Sequence, residues 1–173
     1  MLRAQNTVSI LTQILVGIAM SSVLWFFFGL SFVFGESQHG IIGNPATFAG
    51  FRGLTAGCLE DHAPTIPALS YAMFQMMFAA ICPLLLTGAY AERLMWKPFV
   101  IFTFFWEILV YYPVAHWVWG DGWLERLGVL DFAGGIVLHV RLPSLCNINL
   151  PHSPPFSTHN PHARRRRLVQ ARL

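Results

Sequence analysis

The chain has 173 residues, 55% hydrophobic and 14% aromatic, with only 11% charged, against roughly 25% charged residues in an ordinary soluble domain. Water is the wrong solvent for most of this sequence, which excludes a soluble globular domain. The net charge of +3 has to be read from where the charges fall along the chain.

Apolar runs of about 20 residues are what crossing a hydrocarbon core of roughly 30 Å requires. The first runs from Val8 to Gly35, VSILTQILVGIAMSSVLWFFFGLSFVFG, and contains no charged residue. Its apolar stretch is far longer than the roughly 7–15 residues of a cleavable signal core, so it is read as a true span. The second is expected from Thr65 to Tyr90 and the third from Pro98 to Trp119. A fourth begins near Leu127 and is interrupted after Val140. Unpaired backbone groups are so unfavourable in lipid that such spans should be helices, giving an all-α, polytopic transmembrane helix bundle.

Lys and Arg placement orients it. With a cytosolic N-terminus, the connections 36–64 and 120–127 lie outside and carry only Arg52 and Arg126, while Arg3, Arg93, Lys97 and the arginines of the tail lie inside. That is the expected positive-inside bias. Cys58, Cys82 and Cys146 are isolated and odd in number, so neither a disulfide framework nor a zinc site is read from them.

Beyond Val140 the character changes. Residues 141–173 hold five prolines, six arginines, three histidines and no acid, and Arg141 and Pro143 arrive when the fourth span is half crossed. Residues 1–140 therefore form the membrane domain. Residues 141–173 are expected to be a disordered Pro/Arg-rich tail, or the product of a reading-frame or intron error, and are set aside from the fold. No folded basic surface accompanies the run Arg164 to Arg167, so nucleic acid is not an expected partner. The irregular spacing of His152, His159 and His162 is a poor metal pattern.

Several side chains have both a bland and a sharp reading. Phe74 and Phe78 are four apart and share one helix face; they are lipid-facing packing residues, or rings that close a narrow pathway between helices. Pro83 should bend the second helix unless its neighbours re-satisfy the freed carbonyl. Tyr111, Tyr112, Trp117, Trp119 and Trp123 form an aromatic cluster expected at the outer interface, where such rings normally sit. A Trp face beside a vestibule is also a good seat for a small cation, and spacing does not choose between belt and binding site. Glu107 lies in mid-span and needs a partner or a proton. His116 reads as an interfacial hydrogen-bonding group.

In DFAGGIVLHV, Asp131 stands at the expected start of the fourth helix, where free N–H groups and the helix dipole favour a carboxylate. Gly134 and Gly135 are expected to let helices approach closely. His139 lies eight residues further, about 12 Å deeper at 1.5 Å per residue. It should face protein or a polar pathway, as a hydrogen-bonded packing group or as a pore group that donates from one nitrogen and accepts at the other. A haem or metal enzyme using His116 and His139 fails on spacing, as they lie on successive helices at different depths. No cofactor is expected.

Taken in order, SILTQ, LWFFFGLSFVFGE, FQMMFAAICP, GAYAER, PVAHWVWGDGW and above all LDFAGGIVLH resemble the ammonium transporter, methylammonium permease and Rhesus protein family over residues 5–140. The resemblance implies a helix bundle with two pseudo-twofold related halves, assembled as a homo-trimer in the lipid of the plasma membrane, with a narrow pore through each subunit. The implied cargo is ammonium or ammonia, and methylammonium besides, and the implied class is a channel or transporter, not an enzyme. Trp119 matches the tryptophan that holds the cation, Asp131 the aspartate that organises the recruitment site, and Phe78 one ring of the phenylalanine gate, with Phe74 one turn before it. His139 matches the first of two paired pore histidines that line the proton relay. The family's first span, the partner histidine, the second gate phenylalanine and the serine of the outer site have no counterpart in these residues. The chain is thus expected to correspond to helices two to four and half of five, and not to transport alone. The alternative is a non-transporting subunit that associates with, or inhibits, intact trimers.

Overall fold

The computed structural model describes residues 7–54, 57–59, 62–85 and 95–139, with only the backbone at position 139. Three helices in it are long and apolar enough to cross a membrane.

Helix α1, Thr7–Phe34, is continuous for 28 residues, about 42 Å at 1.5 Å per residue. No charge or proline interrupts it. Ile10, Gln13, Gly17, Ser21 and Leu24 recur every third or fourth position and form its buried stripe, while Val8, Leu11, Leu15 and Val23 are exposed. That outward apolar face would be costly in water and is stable against lipid. Near its end the helix widens into a π turn, Trp25–Gly29.

Helix α2, Ala68–Leu85, buries Ala68, Ala72, Ala79 and Cys82 with Gln75. These small side chains let it lie close along α1, and the Trp25 indole N–H crosses the gap to donate to the Ala72 carbonyl at 3.1 Å. The expected start at Thr65 is corrected. Ala63–Pro67 is an extended strand, because a proline drives the residue before it out of the helical region while tolerating a helix that starts directly after it. The helix runs through Pro83. Residues 86–90, the expected end of this span, and Glu92 and Arg93 lie outside the described residues.

Helix α3 starts at Trp96, slightly before the expected Pro98, since proline is tolerated in a first turn. It runs Trp96–Trp106, then a π turn Glu107–Tyr111, then Tyr112–Trp119. The π turn directly precedes Pro113, whose ring lacks a donor and crowds the turn before it; widening that turn accommodates both defects. Gly29 of the first π turn faces Tyr112, and a Cβ there would lie 2.9 Å from the Tyr112 ring.

The expected fourth helix from Leu127 is also corrected. After the short α4, Trp123–Arg126, residues 127–134 are irregular, and helical geometry resumes only in the π turn α5, Gly135–His139. Gly128 and Gly134 have φ of 86° and 75°, which is why an apolar run fails to propagate as a helix here.

The connection between α1 and α2 carries order that the composition did not reveal. Strands β1, Ser37–Gln38, and β2, Ile42–Gly43, pair antiparallel, as do β3, Cys58–Leu59, and β4, Ala63–Pro67. The core, centred on Trp25, Val33, Tyr112 and Ala115, sits where the second halves of α1 and α3 meet α2, and Phe99 extends it down to Gly17 of α1. Tyr111 and Tyr112 belong to it and not to an interfacial belt, being almost fully buried. Trp117 and Trp123 do pair near the surface, 5.8 Å between rings.

Candidate functional site

The fourth-span glycine and aspartate residues, the end of α3 and one face of α2 converge on a cavity of about 310 Å³. Phe74 and Phe78 come from consecutive turns of α2 and meet edge to face, 5.2 Å between centroids at 88°. Phe78 in turn meets Trp119, the last residue of α3, at 5.6 Å and 64°. Edge-to-face contact sets the positive ring edge against a negative face, so the three rings hold one another without a polar group.

Trp119 is anchored from its other side. Its indole N–H donates to the Asp131 carbonyl at 3.3 Å. The Asp131 carboxylate then accepts backbone N–H groups of Gly135 at 2.8 Å, Ile136 at 2.9 Å and Val137 at 3.3 Å. A carboxylate that satisfies three otherwise orphaned donors is a cap, and it favours the start of α5 by both hydrogen bonds and dipole. Gly134 takes a positive φ to turn into that helix, and a Cβ there would sit 3.5 Å from Phe78, so it serves the turn and the close approach to α2. Among the described residues Gly135 has only the Asp131 carboxylate within 4 Å of an added Cβ, so they show no close helix approach at it.

Phe74, Phe78, Trp119 and Asp131 therefore line one cavity. The backbone at His139 continues α5 from below Asp131, but its side chain lies outside the described residues. The same cavity is lined by residues that the sequence reading missed, among them Gln75, Tyr71, His62 and Glu125. Gln75 carried a usable signal, being a polar side chain inside an apolar span. His62 and Glu125 carried none, because connection residues come into place only through the fold; His62 packs its ring 5.2 Å from Phe34.

Two more polar groups of α3, Glu107 and His116, are paired within the protein. Glu107 is fully buried; its carboxyl group hydrogen-bonds Ser21 of α1 and accepts the Tyr112 hydroxyl at 3.2 Å. His116, also fully buried, donates from Nδ1 to the Val33 carbonyl at 2.7 Å, which leaves Nε2 to accept from the Ser37 hydroxyl at 2.9 Å. That assignment follows from the carbonyl having no proton to give. His116 is thus a hydrogen-bonding group, as expected, but an internal one. Among the described residues no three His, Cys, Asp or Glu side chains gather as a metal site.

Three long apolar helices packed around a shared core, with buried Glu107 and His116 paired inside it, define a polytopic integral membrane protein built as a helix bundle. Comparison with known proteins makes the class specific. The sequence profile of the Ammonium Transporter Family matches residues 1–141, and the chain belongs to that family. It is 54% identical over 140 residues to Ammonium transporter 1 of Dictyostelium discoideum, covering 80% of this chain and 30% of that protein. It is 41% identical over 140 residues to the ammonium transporter of Bacillus subtilis, covering 81% and 34%. The fold matches the crystal structure of Saccharomyces cerevisiae Mep2 with a TM-score of 0.67 at 35% identity, covering 76% of this chain and 31% of that one. It also matches a solved Sensor Amt Protein at 0.73 and 34%, covering 84% and 36%. The chain thus spans about a third of the length of these relatives. Both sequence relatives are named as ammonium transporters.

Proposed function

We propose that these residues form one wall of an ammonium pathway. In this reading the cavity recruits ammonium from outside, with the Trp119 face as the cation seat and Asp131 holding both Trp119 and the start of α5 in register. Phe78, with Phe74 behind it, gates the way inward, and His139 lines the passage beyond and takes part in moving the proton. A cation has to shed its water to pass a dry aromatic constriction, whereas neutral ammonia crosses far more easily, so the proton and the amine part at this point. Methylammonium fits the same chemistry. The observation that carries the reading is that four residues from three separate elements meet at one cavity, tied by the Trp119 N–H to the Asp131 carbonyl. The working assembly is a homo-trimer in the plasma membrane, and the protein performs no covalent chemistry.

A polypeptide of these 173 residues does not transport alone. Phe74 is 55% exposed and Phe132 93% exposed, so among the described residues the cavity is walled by α2 and α3 and open opposite them. The same open apolar faces favour a second reading, a subunit that associates with intact transporters and lowers their activity. Expression in cells lacking ammonium uptake tests the first: no growth on limiting ammonium is expected, and rescue would overturn the claim of inactivity. Expression beside an intact transporter tests the second through methylammonium uptake, which falls only if the chain enters or blocks the assembly.

A further inference from the structure

The cavity is lined by fixed charge of one sign. Asp131 and Glu125 line it, and among the described residues no Lys or Arg does. The two carboxylates are not equivalent. Asp131 is engaged by the backbone N–H groups of Gly135, Ile136 and Val137 at the start of α5, which offset its charge. Glu125, on α4, is partly buried and accepts the Asp121 N–H at 2.8 Å. Arg126, next in the chain, is exposed and does not line the cavity. The bond to Asp121 also fixes where the Glu125 charge sits. Asp121 follows Trp119 by two residues, so a carboxylate pinned to its N–H is held within about 10 Å of the Trp119 backbone. That charge acts across the cavity on the Tyr71 hydroxyl of the α2 wall.

We propose that Glu125 is the charge that draws cations to the Trp119 seat, acting through the field it sets up in the cavity and not by contact. The inference rests on the reading of the cavity as a cation site. An aromatic face attracts a cation only at close range, so the rings alone leave a cation to find them unaided. A carboxylate beside low-dielectric walls works from further away, raising the local concentration of small cations and lowering that of anions. Glu125 therefore sets how tightly a cation is held, while the rings set which cation is preferred. A field does not read hydrogen-bond donors, so methylammonium and tetramethylammonium gain from it alike.

The test is saturation-transfer NMR on the full chain in nanodiscs of zwitterionic, deuterated lipid, irradiating aromatic protons and titrating methylammonium or tetramethylammonium. At an ionic strength of about 20 mM, Glu125→Gln is expected to weaken both cations by about three- to fivefold. Its amide keeps an oxygen for the Asp121 N–H, so the loss reports the charge and not the turn. Glu125→Asp, which keeps the charge, should bind within about twofold of wild type. In about 0.5 M NaCl, where the Debye length is about 4 Å, wild type and Glu125→Gln should agree within about twofold. Equal affinities of wild type and Glu125→Gln at low salt would overturn the proposal and leave the aromatic seat in place. A loss confined to methylammonium would also overturn it, since that is the mark of a direct hydrogen bond. If wild type binds neither cation, or Trp119→Leu binds both as wild type does, the seat itself fails and the proposal falls with it. Should Glu125→Gln not fold, wild type decides alone: an affinity that weakens by less than about threefold between the two salt conditions overturns the proposal.

Discussion

Asp131 holds the cavity wall through both its backbone and its side chain. Its backbone carbonyl holds the Trp119 indole, and its carboxylate holds the first amides of α5. Removing the carboxylate leaves three donors in a partly buried place, where loss of a cap costs about 0.5–2 kcal/mol. Asp131→Ala is therefore expected to raise amide exchange at Gly135, Ile136 and Val137 by about tenfold, with Asp131→Asn intermediate because its amide keeps a single acceptor oxygen. Unchanged exchange in Asp131→Ala would remove the capping role. Glu107 poses the complementary problem, a carboxyl group whose partners are two hydroxyls. Ser21 can give its proton to the Gly17 carbonyl, 2.9 Å away, so an amide at 107 can donate to Ser21 and accept from Tyr112. Glu107→Gln should melt within about 1 kcal/mol of wild type, whereas Glu107→Ala strands the Tyr112 hydroxyl, whose acceptor is Glu107, at about 1–3 kcal/mol. Equal melting of the two variants in detergent would show that the network contributes nothing.

Among the elements, the contact between the ends of α1 and α3 fixes the cavity's frame. His116 and Gly120 of α3 meet Val33 of α1 there, and a Cβ at Gly120 would overlap the Val33 carbonyl oxygen and come within 2.8 Å of His116 Nδ1. Backbone cannot yield as a flexible side chain does, so Gly120→Ala is expected to cost about 1–3 kcal/mol or more. It should also loosen the Trp117 indole bond to the Ile41 carbonyl, 2.7 Å in wild type, which Trp fluorescence would report as a red shift. A wild-type spectrum and melting point in Gly120→Ala would mean that the helix ends are free to separate. None of this junction was legible in the sequence, because Val33 and His116 are 83 positions apart and only the fold joins them. The long spans were legible, since uncharged runs such as residues 8–35 leave helix as the sole way to satisfy the backbone in lipid. Their ends were less so: Thr65–Pro67 is as apolar as a helix start but extended. The stretch from Leu127 is as apolar as a span, yet Leu127, Leu130 and Phe132 lie exposed in an irregular loop. Of the site, the ring pair of Phe74 and Phe78 and the cap at Asp131 followed from local spacing, while the bond from Trp119 to Asp131 and the presence of Gln75, His62 and Glu125 did not.

For the whole molecule, the decisive asymmetry is that the connections after α1 and after α3 lie at one end of the bundle, together with the cavity. Trp123 N–H donates to the Gly40 carbonyl at 3.1 Å, so the loop after α3 is bonded directly to the hairpin after α1, and the two must lie on the same side of the membrane. The Lys and Arg distribution leads one to expect that side to be the exterior, and the proposed recruitment role requires the cavity to open there. Cysteine chemistry can decide it. Cys58 is exposed on β3 within the connection after α1, and Cys82 is buried in α2. In a Cys146→Ser background, a membrane-impermeant maleimide added to intact cells is expected to label the chain at Cys58, with the label lost in Cys58→Ser. Cys82 should react only after the protein is denatured, because a thiol packed against α1 has neither water nor reagent beside it. Labelling of Cys58 only after the cells are permeabilised would invert the topology. The cavity would then face the cytosol, and its proposed work would change from capturing a cation outside to releasing one within.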